Sequence, residues 1–130
     1  MPTTPTTIDR WMTVAPYTIG TEVTVEAARR VMDDFRVGHL PVRDEGRLVG
    51  VISSADVQGA PFRLVSEVMH REPLVVDPGS PASDVARAMA ERHADVAIVV
   101  SGERVVGIFT ATDAERLLSS VLDGLEHGRH

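Results

Sequence analysis

The 130-residue sequence contains no cysteine and no lysine, so all 13 of its basic residues are arginine. Without cysteine there is no disulfide frame, thiolate nucleophile, zinc ribbon or iron–sulfur cluster. Without lysine there is no Schiff-base chemistry and no P-loop, whose lysine reaches nucleotide phosphates. The missing lysine also fits a high-GC coding sequence rich in alanine, arginine, valine and glycine, and carries no function by itself. Long apolar runs are absent too: stretches such as Val96 to Val100 are far too short to span a bilayer. Met1 to Thr7 has neither a basic start nor an apolar stretch, so it does not read as a secretory signal, and the expected compartment is the cytoplasm.

What is present describes a soluble globular chain, with 43% hydrophobic and 25% charged residues. The length fits one compact domain or two small half-domains sharing a core. Nineteen acids against 13 arginines give a net charge of −6, which argues against a general binder of nucleic acid or of anionic membrane. A local arginine patch remains compatible with phosphate.

An internal repeat organises the chain. Shifted by 57 residues, Met12–Asp56 aligns without gaps on Met69–Asp113, with identities at Met12/Met69, Pro16/Pro73, Arg30/Arg87, Met32/Met89, Val42/Val99, Arg47/Arg104, Val49/Val106, Gly50/Gly107 and Asp56/Asp113. Two copies of a whole supersecondary unit imply a pseudo-twofold pair rather than a solenoid.

Both copies read alike. Short extended pieces, Tyr17–Ile19 and Leu74–Val76, precede helices with Ala28, Val31, Met32 and Phe35, or Val85, Ala88 and Met89, on one face. Ser80-Pro81 reads as an N-cap followed by a first-turn proline, and Gly38 as the stop of the first helix. Two strands follow, His39–Arg43 and Arg47–Ile52 around Asp44-Glu45-Gly46, matched by Val96–Val100 and Arg104–Phe109 around Ser101-Gly102. A second helix is expected from Ser54 or Ala111. The fold class is α/β (α+β): two β-α-β-β-α repeats, residues 8–60 and 61–125, packed sheet against sheet with pseudo-twofold symmetry, with flexible ends at 1–7 and 126–130. The last helix carries Leu117, Leu118, Val121, Leu122 and Leu125 along one stripe, which points to a partner surface.

Chemistry concentrates where the second strand of each copy ends. The two junctions are Gly50-Val51-Ile52-Ser53-Ser54-Ala55-Asp56 and Gly107-Ile108-Phe109-Thr110-Ala111-Thr112-Asp113. The glycine admits a close backbone or ligand. The hydroxyl lies at a helix start with its N–H groups, and the carboxylate follows one turn later on the same side. These groups suit a phosphorylated sugar: the carboxylate accepts from vicinal ribose hydroxyls, while hydroxyl and N–H groups face phosphate. Hydrogen bonds to a charged group contribute about 1.5–3 kcal/mol each, so losing the carboxylate costs tenfold or more in affinity. The same residues also read as caps, with Ser53 and Thr110 as N-caps and Asp56 and Asp113 as first-turn acids. Duplication copies caps as well as sites, so recurrence alone does not choose between the two.

The doubled unit, with its Leu40-Pro41-Val42 strand start and two Gly-x-x-[Ser/Thr]-x-x-Asp endings, resembles a tandem pair of CBS domains (a Bateman module) over Ile8 to Leu122. The resemblance implies a regulatory sensor rather than an enzyme, binding adenosine-containing ligands in two clefts between the repeats and commonly forming a homodimer. AMP, ADP, ATP or S-adenosylmethionine are the implied ligands; no cofactor or metal is implied, and the protein partner stays unnamed. By position, Asp56 and Asp113 would hold ribose, with Ser53 and Thr110 near ribose or phosphate and Ala55 and Thr112 in the same loops. Tyr17 and Val37, and Leu74 and Ala94, would line the adenine pockets, and His39 and Val96 stand where a base or phosphate is often contacted.

The copies differ. His39 can face phosphate, more favourably below neutral pH, or can simply be a strand-start histidine with one satisfied nitrogen. The second copy has Asp95-Val96 there, and an acid repels phosphate, so the His39/Asp56 cleft is expected to be the better nucleotide site. Arg36, Arg43, Arg63, Arg71, Arg92 and His93 are within the same neighbourhoods but read equally as solvated surface. His70-Arg71-Glu72, His93-Ala94-Asp95 and the terminal His127-Gly128-Arg129-His130 lack paired metal-ligand spacing, and neither G-x-S-x-G nor G-x-G-x-x-G occurs. The competing reading is a ligand-independent dimeric scaffold built on the leucine stripe.

Overall fold

The computed structural model describes residues 6–14 and 17–127, the last three of these by backbone only. After a 3₁₀ turn at Ile8–Arg10, the elements in chain order are β1 (Thr13–Val14), β2 (Ile19–Gly20), α1 (Val25–Phe35), β3 (His39–Asp44) and β4 (Arg47–Ser53). A 3₁₀ turn at Asp56–Gln58 leads to α2 (Val65–Val68), β5 (His70–Arg71), β6 (Leu74–Val76), α3 (Ala82–Arg92), β7 (Val96–Ser101), β8 (Arg104–Thr110) and α4 (Ala111–His127). The chain divides into two compact units, Pro16–Pro73 and a second that joins Met1–Ala15 to Leu74–His130.

Each unit holds one four-stranded sheet, ordered β2-β3-β4-β5 in the first and β1-β8-β7-β6 in the second. The parallel pairs β2/β3 and β6/β7 are bridged by α1 and α3, and the hairpins β3/β4 and β7/β8 are antiparallel. Glu45 and Gly46 turn the first hairpin with φ of 49° and 80°, the positive pair that a two-residue hairpin with the right strand twist requires. Both hairpins shift register at equivalent places, after Val42 and after Val99.

The fourth strand of each sheet comes from the segment that precedes the other repeat's main body. β1 pairs with β8, and β5 pairs with β4. The same segments also close the helix N-termini. The Val25 N–H donates to the Arg63 carbonyl at 2.8 Å, and the Ala82 N–H donates to the Thr6 carbonyl at 2.8 Å. Val65 N–H reaches Val23 O at 2.8 Å, as Ile8 N–H reaches Ser80 O at 2.8 Å. Donors and acceptors in these pairs are related by the 57-residue shift. The motif glycines explain how the fourth strands fit: a Cβ on Gly50 would lie 2.7 Å from His70 O, and one on Gly107 would lie 2.9 Å from Thr13 O. The close neighbours admitted by each glycine are therefore the fourth strand's backbone and the methionine that leads into it, Met69 or Met12.

Several local expectations change. α1 ends at Arg36 (φ 55°) rather than at Gly38, and α3 ends at the equivalent His93 (φ 53°). Val37 and Ala94 N–H groups return to the Met32 and Met89 carbonyls at 3.0 and 2.9 Å, a Schellman-type closure that compensates the left-handed residue. Ser80 does not cap α3; Pro81 holds that position without a side-chain bond, and the Thr6 carbonyl takes over the role. No α-helix starts at Ser54. Gly59 and Pro61 fall where the second copy has Arg116 and Leu118, and they cost a helix interior about 1 and about 3 kcal/mol, so only the 3₁₀ turn forms. At Ala111 the expected helix is present as α4.

Each unit has its own core. Ile19, Val25, Ala28, Met32, Leu40, Val42, Ile52, Val57, Val65 and Met69 fill the first. Ile8, Ala82, Val85, Met89, Ala97, Val99 and Phe109 fill the second. Phe35, expected on the buried face of α1, is 48% exposed and stacks on Tyr17. Leu117 packs against the second core, so the stripe that faces outward is Leu118, Val121 and Leu122; the Leu125 side chain lies outside the described residues. Of the arm before Ile8, Thr6 and Thr7 pair with the start of α3, and Met1–Pro5 lie outside the described residues, as do 128–130. Among the described residues no helix is long and apolar enough to cross a membrane.

Ile8 is fully buried in the second unit although it opens the first repeat and lies ahead of the first unit in the chain. Ile8→Ala should cost about 2–5 kcal/mol in urea unfolding. Hydrogen exchange should show the lost protection in β7 and β8 ahead of β3 and β4.

Candidate functional site

The ends of β4 and β8 bring together the residues that the sequence singles out. Strand register places His39 opposite Ser53 and Val96 opposite Thr110. The loop that follows each helix is tied to the same place, with Ser54 N–H on Gly38 O at 2.9 Å and Ala111 N–H on Asp95 O at 3.1 Å. The first junction thus gathers His39, Ser53, Ala55 and Asp56, and the second gathers Val96, Thr110, Thr112 and Asp113.

At the first junction, Ser53 N–H and Ser53 Oγ–H both donate to Asp56 Oδ2, at 2.8 and 2.9 Å, and Asp56 N–H returns to Ser53 Oγ at 3.4 Å. This reciprocal pattern is a capping box without a long helix behind it. The other oxygen, Oδ1, has His70 Nε2 at 3.5 Å. Asp56 keeps 18% side-chain exposure. His39 is half-buried, with its Nε2 enclosed, whereas Ala55 is exposed.

The second junction repeats the box: Thr110 N–H and Oγ1–H donate to Asp113 Oδ2 at 2.9 and 3.2 Å, and Asp113 N–H returns to Thr110 Oγ1 at 3.4 Å. Here α4 does follow, so the acid also meets the positive end of a helix. Two further donors reach this carboxylate. Thr13 Oγ1 on β1 lies 3.3 and 3.4 Å from its two oxygens, and the Arg116 guanidinium pairs with Oδ1. Both oxygens are engaged and the residue is only 3% exposed. Val96 is likewise buried, and Thr112 is exposed.

The other expected residues lie on the flanking elements. Tyr17 and Val37 pack against the first core, with the Tyr17 ring stacked on Phe35 at 3.9 Å between centroids and 17° between planes. Leu74 packs against the second core and pairs with Ala97, and Ala94 is half-buried beside the helix end it closes. Sequence reading missed Thr13, His70, Arg116 and Phe35. Thr13 and His70 are equivalent at the 57-residue shift and follow the repeated methionines, but the shift assigned them no role because their strands pair outside their own repeat. Arg116 sits one helical turn after Asp113, a spacing that could have indicated it.

The CBS domain family model matches residues 8–62 and 65–120, and the chain belongs to this family. It is 32% identical over 106 residues to an A-adding tRNA nucleotidyltransferase of Geobacter sulfurreducens, a match that covers 78% of this chain and 12% of that protein. It is also 28% identical over 109 residues to the CBS domain-containing protein YhcV of Bacillus subtilis, covering 78% of each. The chain thus spans a small part of the nucleotidyltransferase. Among solved structures, the CBS domain pair of the protein MJ0100, in complex with 5′-methylthioadenosine and S-adenosyl-L-methionine, superposes with a TM-score of 0.81 at 28% identity, covering 90% of this chain and 98% of that one. CBSX2 in complex with AMP superposes with a TM-score of 0.73 at 24% identity, covering 88% and 97%, and shares the fold.

The two carboxylates should differ in what they hold together. Asp113→Ala strands buried donors and should lower unfolding free energy by about 2–3 kcal/mol. Asp56→Ala, at a junction that water reaches, should cost about 1 kcal/mol. Urea denaturation of both variants measures the difference, and equal losses would contradict it.

Proposed function

We propose that this CBS pair is a regulatory module, not an enzyme, that binds an adenosine-containing ligand and passes its occupancy to a protein partner. The observation that carries this reading is the state of Asp56. Ser53 holds one of its carboxylate oxygens, which fixes the group in orientation, while the other faces the largely exposed His70 side chain at 3.5 Å and the carboxylate side chain keeps 18% exposure. A carboxylate so placed can accept hydrogen bonds from the two hydroxyls of a ribose. Tyr17, Val37, His39, Ser53, Ala55 and Asp56 form the site in the first unit. Leu74, Ala94, Val96, Thr110, Thr112 and Asp113 form the corresponding set in the second, where the engaged Asp113 leaves less for a ligand to gain. The first unit is therefore the principal site.

The relative bound to 5′-methylthioadenosine and S-adenosyl-L-methionine supports the adenosine class. The ligands to test are AMP, ADP, ATP and S-adenosylmethionine. Any phosphate must be met by His39, hydroxyls, backbone N–H groups or arginine forks, because the chain has no lysine. Signalling follows if the ligand binds two conformations unequally, so that occupancy shifts their balance.

A thermal-shift panel with AMP, ADP, ATP, S-adenosylmethionine and NAD tests the reading. A ligand at about 100 times its Kd adds about 2.7 kcal/mol to the folded state. Asp56→Ala should weaken that ligand tenfold or more, and no shift by any of the five at millimolar concentration would sink the proposal.

A second reading is favoured by the outward stripe of Leu118, Val121 and Leu122 on α4, each more than half exposed. It makes the chain a homodimeric interaction scaffold whose assembly does not depend on a ligand. Light scattering decides: this reading needs a dimer that survives Asp56→Ala and Asp113→Ala but dissociates in Leu118→Glu or Leu122→Glu.

A further inference from the structure

The strand residue that reaches each junction differs between the units in one chemical respect. In the second unit it is Thr13, whose hydroxyl donates to Asp113. At the equivalent position of the first unit stands His70, with Nε2 3.5 Å from Asp56 Oδ1. β1 and β5 both run antiparallel to their partner strand past the motif glycine, so the same backbone geometry delivers both side chains. A threonine hydroxyl is a neutral donor at any ordinary pH. An imidazole changes charge near neutrality, and only its protonated form carries a donor and a positive charge on both nitrogens. Because Ser53 occupies Oδ2 through its N–H and its hydroxyl, Oδ1 is the oxygen left for a ligand, and His70 faces that oxygen.

We propose that His70 is a positioning residue that couples ligand binding at Asp56 to protons: as imidazolium it pairs with Oδ1 and competes with a ribose hydroxyl, and as the neutral ring it yields the oxygen. The inference rests on Asp56 receiving a ribose, as proposed above. Binding displaces the imidazolium from the carboxylate, and its proton is released to solvent. With 71% of its side chain exposed, His70 can turn into water without becoming a buried, unpaired cation.

The ionisable groups around it leave this pairing as the relevant one. Among the described residues Asp56 is the acid within ion-pair distance of His70. On β4, the paired strand, the residues opposite β5 are the uncharged Gly50 and Val51. Arg71, next in β5, donates to the Ser66 carbonyl at 3.3 Å. On α2, Glu67 accepts from Leu64 N–H at 2.8 Å and lies 3.8 Å from Arg63. Glu72 follows Arg71 with φ 55°, where the chain leaves the sheet. His39, on β3, stands across from Ser53 and is the other imidazole near the junction.

Calorimetric titration with 5′-methylthioadenosine tests the coupling, because this probe keeps the ribose hydroxyls and has no phosphate to titrate. Titrations at about pH 6 and about pH 8 bracket the histidine range. Two buffers of different ionisation enthalpy count the protons exchanged. The wild type should bind about two- to fivefold more tightly at the higher pH, the range expected for an exposed ion pair, with proton release on binding. The difference should shrink in high salt. His70→Ala and His70→Gln should bind equally at both pH values, without proton release, and His93→Asn should behave as wild type. Binding by the wild type without pH dependence overturns the coupling alone, as does pH dependence that persists in both His70 variants and so belongs to His39. Absence of binding by the folded wild type and by both His70 variants at either pH overturns the ribose reading, and the coupling with it.

Discussion

The arrangement on which the rest depends is the exchange of leading segments. Residues 6–14 lie ahead of the first unit, Pro16–Pro73, yet complete the second, and residues 63–71 complete the first. A helix N-terminus leaves backbone N–H groups that need acceptors, and an edge strand leaves a row of unpaired groups. One short segment answers both needs in each unit, donating and accepting main-chain hydrogen bonds at the helix start and adding two residues to the sheet. Side-chain capping then becomes optional, which is why Pro81 can occupy the cap of α3 with nothing to donate or accept from its side chain.

The exchange also decides the chemistry at the junctions. A strand that passes within backbone contact of Gly50 or Gly107 must present its first side chain to the aspartate three residues beyond the hydroxyl. One sequence change in that strand therefore alters the environment of a carboxylate in the other repeat's main body. With Thr13, and with Arg116 added from α4, the carboxylate is enclosed by donors and serves the fold. With His70 and no helix to supply an arginine, its side chain keeps 18% exposure. Under the proposed function, cap and binding site are two outcomes of one Ser/Thr-x-x-Asp geometry, chosen by what the borrowed strand carries.

This explains what could be read in advance. The 57-residue repeat, the apolar runs of β3, β4, β7 and β8 between turn residues and the helix faces are local or periodic, and they set the fold class directly. The repeat carries the expectation of a helix over to Ser54, and Gly59 and Pro61, breakers that the repeat symmetry passes over, leave only the 3₁₀ turn there. The exchange is another matter: β1 and β5 are two residues long, too short to show a period, and their partners lie outside their own repeat. The burial of Asp113 depends on Thr13, 100 positions away, and no pattern within Gly107–Asp113 carries that information. His70 was in view only as a metal-capable residue, because its neighbour Asp56 is close in space through a strand pairing that spacing does not reveal.

The composition takes its meaning from the same geometry. A chain without lysine and with a net charge of −6 has no diffuse cationic surface with which to attract anions, so selectivity must arise at fixed local groups. At the first junction those groups are one carboxylate held by Ser53 and two imidazoles, His39 on the central hairpin and His70 on the borrowed strand. A carboxylate favours the hydroxyl face of a nucleoside and opposes its phosphate, whereas a protonated imidazole does the reverse. In the proposed coupling, the imidazole placed against the carboxylate makes ribose binding depend on protons rather than on bulk charge. At the enclosed Asp113 junction Thr13 stands in place of His70, so the duplicated motif holds the fold in one unit and leaves a carboxylate partly exposed in the other.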